Sequence, residues 1–242
     1  INYSPITIPE VADMYKQHFP RVEAFHAVSK AIAVEAQKYG ASAYNIHLVY
    51  SGLPPSELVL DKPENATFKI LSVGRSHWVK GYNYAMDACD ILKKSGYAFE
   101  YSIIGGKGSE ELQFQIADLQ LENEVQLLDS MPFSQVQRRM QEADVLLLSS
   151  VEEGIANVVL EAMQLGTLVV STNCGGMQEV IFNGLNGFLV PIRQPEKMAE
   201  ALINIVNLST EDKEAIIVAA KKTVEEGFTS ARMIENMVNI YN

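Results

Sequence analysis

The sequence has 242 residues, 48% of them hydrophobic, and a formal net charge of −11; that is chain enough for one large or two modest domains with a real core, and the wrong sign for nucleic acid, whose binding rests on Lys and Arg neutralising phosphates. Cys89 and Cys174 are its two cysteines, too few for a disulfide framework and without metal spacing. No apolar run reaches transmembrane length and no signal-peptide pattern opens the sequence, so the expected setting is a reducing cytoplasm.

The first fifty residues, which begin at Ile1, do not make a self-contained pattern: Phe25 to Lys30, a helix-like run to Tyr39-Gly40, then Ile46 to Gly52. Residues 53–67 are rich in Pro, Glu and Asp and poor in periodicity, as expected of a linker. From Phe68 onward, apolar runs of strand length alternate with helical periodicity, the pattern of a parallel sheet with helices on both faces. Strands are predicted at 69–73, 99–104, 125–128, 145–148, 168–171 and 188–190. Helices are predicted at 82–94, 110–121, 134–141, 157–165, 177–182 and 196–207, with two more at 210–226 and 230–241. The fold class is α/β, a Rossmann-like parallel sheet.

Residues with chemistry to offer fall just past the carboxyl ends of these strands: Arg75, Gly105, Asp129, Glu153 and Cys174-Gly175-Gly176. In an open α/β sheet that edge is where ligands bind. The most informative stretch is Ser150 to Met163. The apolar run before it reads as a strand buried on both faces; Gly154 breaks it, and helical spacing resumes at Ala156 until Gly166 closes the element. Free N–H groups at the helix start, Gly154 to Asn157, can then face an anion. Glu153 stays on the loop, while Glu161 lies about one turn into the helix, roughly 6–8 Å beyond its start. Two carboxylates flanking a helix N-terminus suit a polyol bound beside a phosphate. A Glu161 partly buried on a largely apolar helix is costly unless hydrogen-bonded, and a ribose diol would satisfy it.

Other pieces read two ways. Arg75 and Lys80 flank the loop after the first strand, placed either to bracket a diphosphate or to stand in solvent as loop charges. Gly105-Gly106-Lys107-Gly108 lets a backbone approach a phosphate or base, yet a glycine turn between strand and helix needs no ligand. Leu128-Asp129-Ser130-Met131 is a turn by composition. Met177 and Val180-Ile181 read as core. Cys174 has no histidine motif to activate it, and His18, His26, His47 and His77 form no metal spacing.

The glutamate pair, eight positions apart around a glycine turn and followed by Ala162-Met163 and Gly166, resembles the donor-site motif of the group 1, glycogen-synthase-like retaining glycosyltransferases of the GT-B fold. Val73-Gly74-Arg75 with Lys80-Gly81, Ile103-Ile104-Gly105-Gly106, Ser171 to Gly176 before Glu179-Val180-Ile181, and Asn186-Gly187-Phe188-Leu189-Val190 are similar to the family's other landmarks, in its order. The resemblance implies a donor-binding domain at 68–228, the C-terminal half of a GT-B fold. It implies a remnant of the N-terminal acceptor domain at 1–52, an interdomain linker at 53–67, and a C-terminal helix at 229–242 returning toward the N-terminal part. Most of the acceptor domain is then expected outside this sequence, and the chain by itself is expected to be inactive.

The activity implied is transfer of a hexose from a nucleoside-diphosphate-sugar, such as a UDP- or GDP-sugar, with retention of configuration. The acceptor would be a glycan, a lipid-linked sugar or a small molecule, reached in the cytoplasm or peripherally at the inner face of a membrane, and no metal or other cofactor is expected. Arg75 and Lys80 would hold the diphosphate, and Gly74, Gly105 and Gly106 would be among the donor-binding residues. Glu153 would hold the sugar, Glu161 the ribose, and the N–H groups of Ile155, Ala156 and Asn157 the sugar and phosphate, with Gly154 and Val158 also among the donor-binding residues. Leu128, Asp129 and Met131 would read the base. The sequence departs from the family at Ala156, where Gly, Pro or Ser is more usual, and at Asp129, where glycine is common. Rival readings are a GT-B epimerase or hydrolase, which needs its own acid or base at the sugar, and a non-catalytic sugar-nucleotide module. A dinucleotide oxidoreductase fits least, because no G-x-G-x-x-G turn appears.

Overall fold

The computed structural model describes residues 8–55 and 67–241, so most of the expected linker at 53–67 lies outside the described residues. The chain divides into two compact units, Ile1–Pro54 with Gly227–Asn242, and Pro55–Glu226. In the first, helix α1 (Pro9–His18) precedes strand β1 (Phe25–Ala27), helix α2 (Lys30–Lys38) and strand β2 (Ile46–Leu48). The two strands pair in parallel, Phe25 opposite Ile46, with α2 as the crossover between them. Ser29 starts that helix by accepting the Ile32 N–H on its hydroxyl at 3.1 Å, satisfying one of the N–H groups a helix start leaves over.

The second unit is a six-stranded parallel sheet whose strands alternate with helices, as expected. Its elements are β3 (Phe68–Val73), α3 (Tyr82–Lys94), β4 (Phe99–Ile104), α4 (Glu110–Asp118), β5 (Val125–Leu128) and α5 (Phe133–Glu142), then β6 (Val145–Leu148), α6 (Asn157–Leu165), β7 (Leu168–Thr172), β8 (Phe188–Val190), α7 (Pro195–Asn207) and α8 (Thr210–Gly227). Strand order is β5-β4-β3-β6-β7-β8. Counted within this unit, that is 3-2-1-4-5-6, the doubly wound order in which the chain reverses direction between its first and fourth strands. The reversal opens a crevice above β3 and β6, and both strands end at it.

Alternation along each strand divides the core. Ile70, Tyr101, Ile103, Val145, Leu147, Leu168 and Val170 join one buried cluster with Ala85, Ala88, Cys89 and Leu92 of α3 and Met198, Leu202 and Ile205 of α7. Small side chains on α3 let that helix lie close to the sheet. Every residue of β6 and of β7 is buried: β6 and the first three residues of β7 are apolar throughout, as central parallel strands require, and the Ser171 and Thr172 hydroxyls donate to backbone carbonyls.

Two predicted elements end early, each for a local reason. The helix expected to reach residue 121 stops at Asp118, because Gln120 takes a left-handed conformation at φ 56° and the Leu121 N–H returns to the Ile116 carbonyl at 2.8 Å. No glycine marks that stop. The helix expected at 177–182 is a single 3-10 turn, Met177–Glu179. Its continuation is replaced by the buried Asn186 side chain, which accepts the Phe182 N–H at 2.7 Å and donates to the Val180 carbonyl at 3.0 Å. Met177, Val180 and Ile181 are core, as expected.

The chain ends in helix α9 (Ser230–Tyr241), within the first unit. Leu53 and Thr229 form a parallel bridge, Leu53 N donates to the Phe228 carbonyl at 2.8 Å and Ser230 N to the Leu53 carbonyl at 2.9 Å. A side chain at Gly52 would strike the Thr229 carbonyl carbon and oxygen, so glycine is what permits this approach. No helix among the described residues is long and apolar enough to cross a membrane.

Candidate functional site

The crevice at the reversal point receives one basic and one acidic side chain from opposite walls. After β3, the chain turns through Gly74 and Arg75 to a short 3-10 turn at Trp78–Lys80, which Gly81 closes at φ 60°. After β6 it runs through Ser149 to Gly154 and enters α6. Lys80 Nζ donates to Glu153 Oε1 at 2.6 Å, joining the two walls. The pair is partly buried, with 24% and 17% of the two side chains exposed, which leaves it accessible to a ligand while limiting solvent screening.

Backbone contacts brace the walls. Val151 N donates to the Val79 carbonyl at 2.8 Å, and Ser149 Oγ to the Lys80 carbonyl at 2.8 Å. Gly81 passes so close to Ser149 that a Cβ there would sit 2.3 Å from its carbonyl oxygen. On the other side of Glu153, the Cys174-Gly175-Gly176 turn presses against the loop. Gly176 N donates to the Gly154 carbonyl at 2.7 Å, and a Cβ on Gly175 would stand 1.6 Å from the Glu153 carbonyl oxygen. The glycines that sequence analysis placed at the ligand edge thus include one whose work is to let two loops meet.

Helix α6 begins with Ala156 as its N-cap and no side-chain cap. The N–H groups of Asn157 and Val158 have no acceptor among the described residues, whereas the Ala156 N–H points to Met177 Sδ at 3.5 Å and the Val159 N–H to the Ala156 carbonyl. Of the N–H groups expected to face an anion, Ala156 is therefore directed inward. Two uncapped donors and the positive end of the helix dipole remain at the crevice. Glu161, one turn along, is half-buried, and burial holds its carboxyl above the ordinary carboxylate range. That is the behaviour of an acid without a charged partner.

The remaining expected residues lie along the same sheet edge. Arg75 is exposed and has no side-chain hydrogen bond or ion pair among the described residues. Sequence analysis treats Arg75 and Lys80 as a cationic pair; in the structure Lys80 is bound to Glu153 and Arg75 stands open. Gly74 carries φ 152°, with Lys80 Cε and the Tyr82 hydroxyl packed where its side chain would be. Gly105, at φ 88°, lies against the Gly74 carbonyl, and Gly106 is packed on Ile103 and Leu127. The Leu128 carbonyl is taken by the N–H groups of Gly105 and Lys107, at 3.0 and 3.1 Å, which ties the glycine turn to the loop holding Asp129 and Met131. Asp129 is exposed and pairs with Lys107 at 2.6 Å.

Sequence reasoning passed over three side chains in the crevice. Tyr82 is buried and donates from its hydroxyl to the Gly74 carbonyl at 2.9 Å; burial first, then the nearby Glu153 carboxylate, push its ionisation far above the usual range, so it stays a neutral donor. Ser150 donates to Glu153 Oε1 at 2.8 Å. Thr172 donates to the Ser150 carbonyl. Single hydroxyls carry no spacing signal: Ser150 is a local neighbour of the carboxylate, three positions before it, while the fold brings Thr172 to Ser150. Cys174 is buried, and burial pushes its thiol up to about 11, the wrong direction for a nucleophile. Among the described residues no three His, Cys, Asp or Glu side chains cluster as a metal site.

The chain is 32% identical over 231 residues to the amylovoran biosynthesis glycosyltransferase AmsK of Erwinia amylovora, covering 90% of this chain and 56% of that protein. It is 32% identical over 224 residues to the putative colanic acid biosynthesis glycosyltransferase WcaL of Escherichia coli K12, covering 88% and 55%. It thus spans about half the length of the curated relatives it matches. The crystal structure of Anabaena Alr3699/HepE in complex with UDP-glucose shares the fold, with a TM-score of 0.83 at 21% identity over 98% of this chain and 68% of that one. Residues 59–223 match the model of the glycosyl transferases group 1, a span that contains the sheet, the crevice and the Lys80–Glu153 pair, and the chain belongs to that family.

Proposed function

We propose that this chain binds the donor for a glycosyltransferase that moves a sugar from a nucleoside diphosphate to an acceptor hydroxyl with retention of configuration. The observation that carries the reading is the Lys80–Glu153 pair at the reversal point, set beside the uncapped start of α6: cation, N–H donors and carboxylate converge where a diphosphate and its sugar meet. Breaking the bond between the sugar's anomeric carbon and the diphosphate puts negative charge on the leaving oxygen. Lys80, Arg75 and the Asn157 and Val158 N–H groups oppose that charge, an interaction strongest in the transition state. Glu153 orients the sugar through its hydroxyls and Glu161 takes the ribose diol, which replaces the hydrogen bonds its burial denies it. In this reading the 128–131 loop meets the base, and the glycine turn at 105–108 gives the backbone room beside the phosphate or the base.

The reading calls on no metal, since side-chain cations and a helix terminus meet the leaving charge. A uridine nucleotide is the first candidate, because HepE is described with UDP-glucose; a guanosine nucleotide is the second. A glycan or lipid-linked sugar as acceptor and a cytoplasmic setting complete the proposal, in line with polysaccharide-forming relatives such as AmsK. The test is calorimetric titration with UDP, GDP and ADP, each alone and bearing glucose or mannose. One nucleoside diphosphate should bind with the sugar-bearing form tighter than the bare one. Failure of all to bind, or binding of NADH instead, would overturn the proposal. Donor that binds and is released as free or epimerised sugar by the full-length protein would point to hydrolysis or epimerisation.

A further inference from the structure

Glu153 has two carboxylate oxygens, and the structure treats them unequally. Oε1 accepts Lys80 Nζ at 2.6 Å and the Ser150 hydroxyl at 2.8 Å, which fills the roughly two acceptor directions of one carboxylate oxygen. No described residue donates to Oε2. Ser150 has no exposed surface and lies two residues past the end of β6, so its position is set by the sheet. Its carbonyl accepts the hydroxyl of Thr172 at 2.5 Å, and Thr172 is the last residue of β7 and equally buried. Two adjacent strand ends thus hold the serine, and the serine holds the carboxylate.

We propose that Ser150 is a positioning residue for donor-sugar recognition: it pins Oε1, so that Glu153 offers Oε2 alone to the hydroxyls of the sugar. The inference rests on the donor-binding reading above and specifies how that site selects its ligand. An unpinned carboxylate can turn both oxygens toward Lys80, the nearest cation, and no acceptor then faces the sugar. A pinned one has a single oxygen with about two acceptor directions, matched to one hydroxyl or to two adjacent hydroxyls that converge on a point. The class of ligand selected is a pyranose bearing such hydroxyls on a nucleoside diphosphate. The bare nucleotide does not reach Oε2 and gains nothing from Ser150.

That difference is the test. Kd values of whichever pair binds more tightly, UDP and UDP-glucose or GDP and GDP-mannose, are measured for the parent chain, Ser150→Ala, Glu153→Gln and the double variant. Ser150→Ala should weaken the sugar nucleotide about tenfold, the scale of one hydrogen bond to a charged group, and the bare nucleotide less than about twofold. In the Glu153→Gln background the serine substitution should have no further effect on either ligand, as expected when two residues act through one contact. Ser150→Cys fills nearly the same space with a much weaker donor and should reproduce the alanine result if alanine lowers expression. Equal weakening of both ligands in both backgrounds would overturn the inference and leave Ser150 as packing. A parent chain that binds none of the four ligands would instead remove the donor-binding reading itself.

Discussion

Glu153→Gln keeps the shape of the side chain and removes its charge, and the Lys80–Glu153 contact gives it two opposite effects. In the structure Lys80 Nζ is held by the carboxylate at 2.6 Å, so a diphosphate binding Lys80 must share that ammonium with an anion and settle beside it. At an effective dielectric of about 20, like charges about 5 Å apart repel by about 3 kcal/mol. Partial exposure of both side chains, 24% and 17%, leaves about 1 kcal/mol after screening, a factor of about 5 in Kd. The variant should therefore bind bare UDP about fivefold tighter than the parent. For UDP-glucose the gain is offset by loss of a charged acceptor for sugar hydroxyls, about 1–2 kcal/mol, so the preference for the sugar-bearing form shrinks or vanishes. Paired calorimetric titrations read both quantities, and repeating them at high ionic strength should reduce the UDP gain. If the variant loses bare UDP as severely as UDP-glucose, the carboxylate organises Lys80 for the phosphate instead of competing for it, and the reasoning fails.

Other positions give sharper separations between fold and site. Burial raises the Glu161 carboxyl above its ordinary 4.5; the folded state then binds the proton more tightly than the unfolded chain, so the penalty is absent at low pH and grows as pH rises from 4.5 through the folded value. Glu161→Gln should raise the melting temperature near neutral pH and flatten its pH dependence, read by scanning calorimetry, while weakening every nucleoside diphosphate about tenfold. Gly175→Ala and Gly184→Ala both force alanine into a left-handed backbone, at φ 54° and 78°, for about 1–2 kcal/mol each. Only Gly175 faces the Glu153 carbonyl, with nothing within 4 Å at Gly184, so Gly175→Ala should lose nucleotide binding and more than about 3 kcal/mol in urea unfolding, and Gly184→Ala should keep binding. Tyr82→Phe leaves the Gly74 carbonyl without its 2.9 Å donor and should cost about 1 kcal/mol of stability, with a flat pH profile because the phenol does not ionise in the working range.

The strands were legible because parallel central strands need apolar side chains on both faces, and 145–148 and 168–170 satisfy that without interruption. The ligand edge followed, since every strand of a parallel sheet ends on the same side. Helix ends were less legible where glycine did not mark them: Gln120 carries a positive φ that its side chain does not announce, and Asn186 terminates the turn after β7 with a side chain rather than a break in pattern. The candidate residues Lys80 and Glu153 were readable as charges at the ends of strands, but not as a pair, because they are separated by 73 positions and meet only through the order of the sheet. The roles of Ser150, Thr172 and Tyr82 were hidden because a hydroxyl has no periodicity to announce its partner, whether that partner is three positions away, as for Ser150, or twenty-two, as for Thr172.

That order also says where selectivity can reside. On the reversal-point side, each loop is held by backbone and buried hydroxyl bonds: Val151 to Val79, Ser149 to Lys80, Thr172 to Ser150 and Gly176 to Gly154. These contacts do not involve a ligand, so the charge pattern is set before one arrives and little ordering entropy remains to be lost on binding. Across β4 and β5 the ties are fewer. The Leu128 carbonyl anchors Gly105 and Lys107, and the side chains beyond it meet in the exposed Lys107–Asp129 pair, 61% and 70% open, of a kind that contributes little energy. In the donor reading the rigid side grips what all sugar nucleotides share, the diphosphate and a polyol, while the more lightly tied side meets the base, where a change of partner disturbs little of the fold. Exchanging the 129–131 loop should therefore alter base preference at small cost to stability, whereas no substitution at Gly175 or Thr172 can alter the site without altering the sheet ends that hold it.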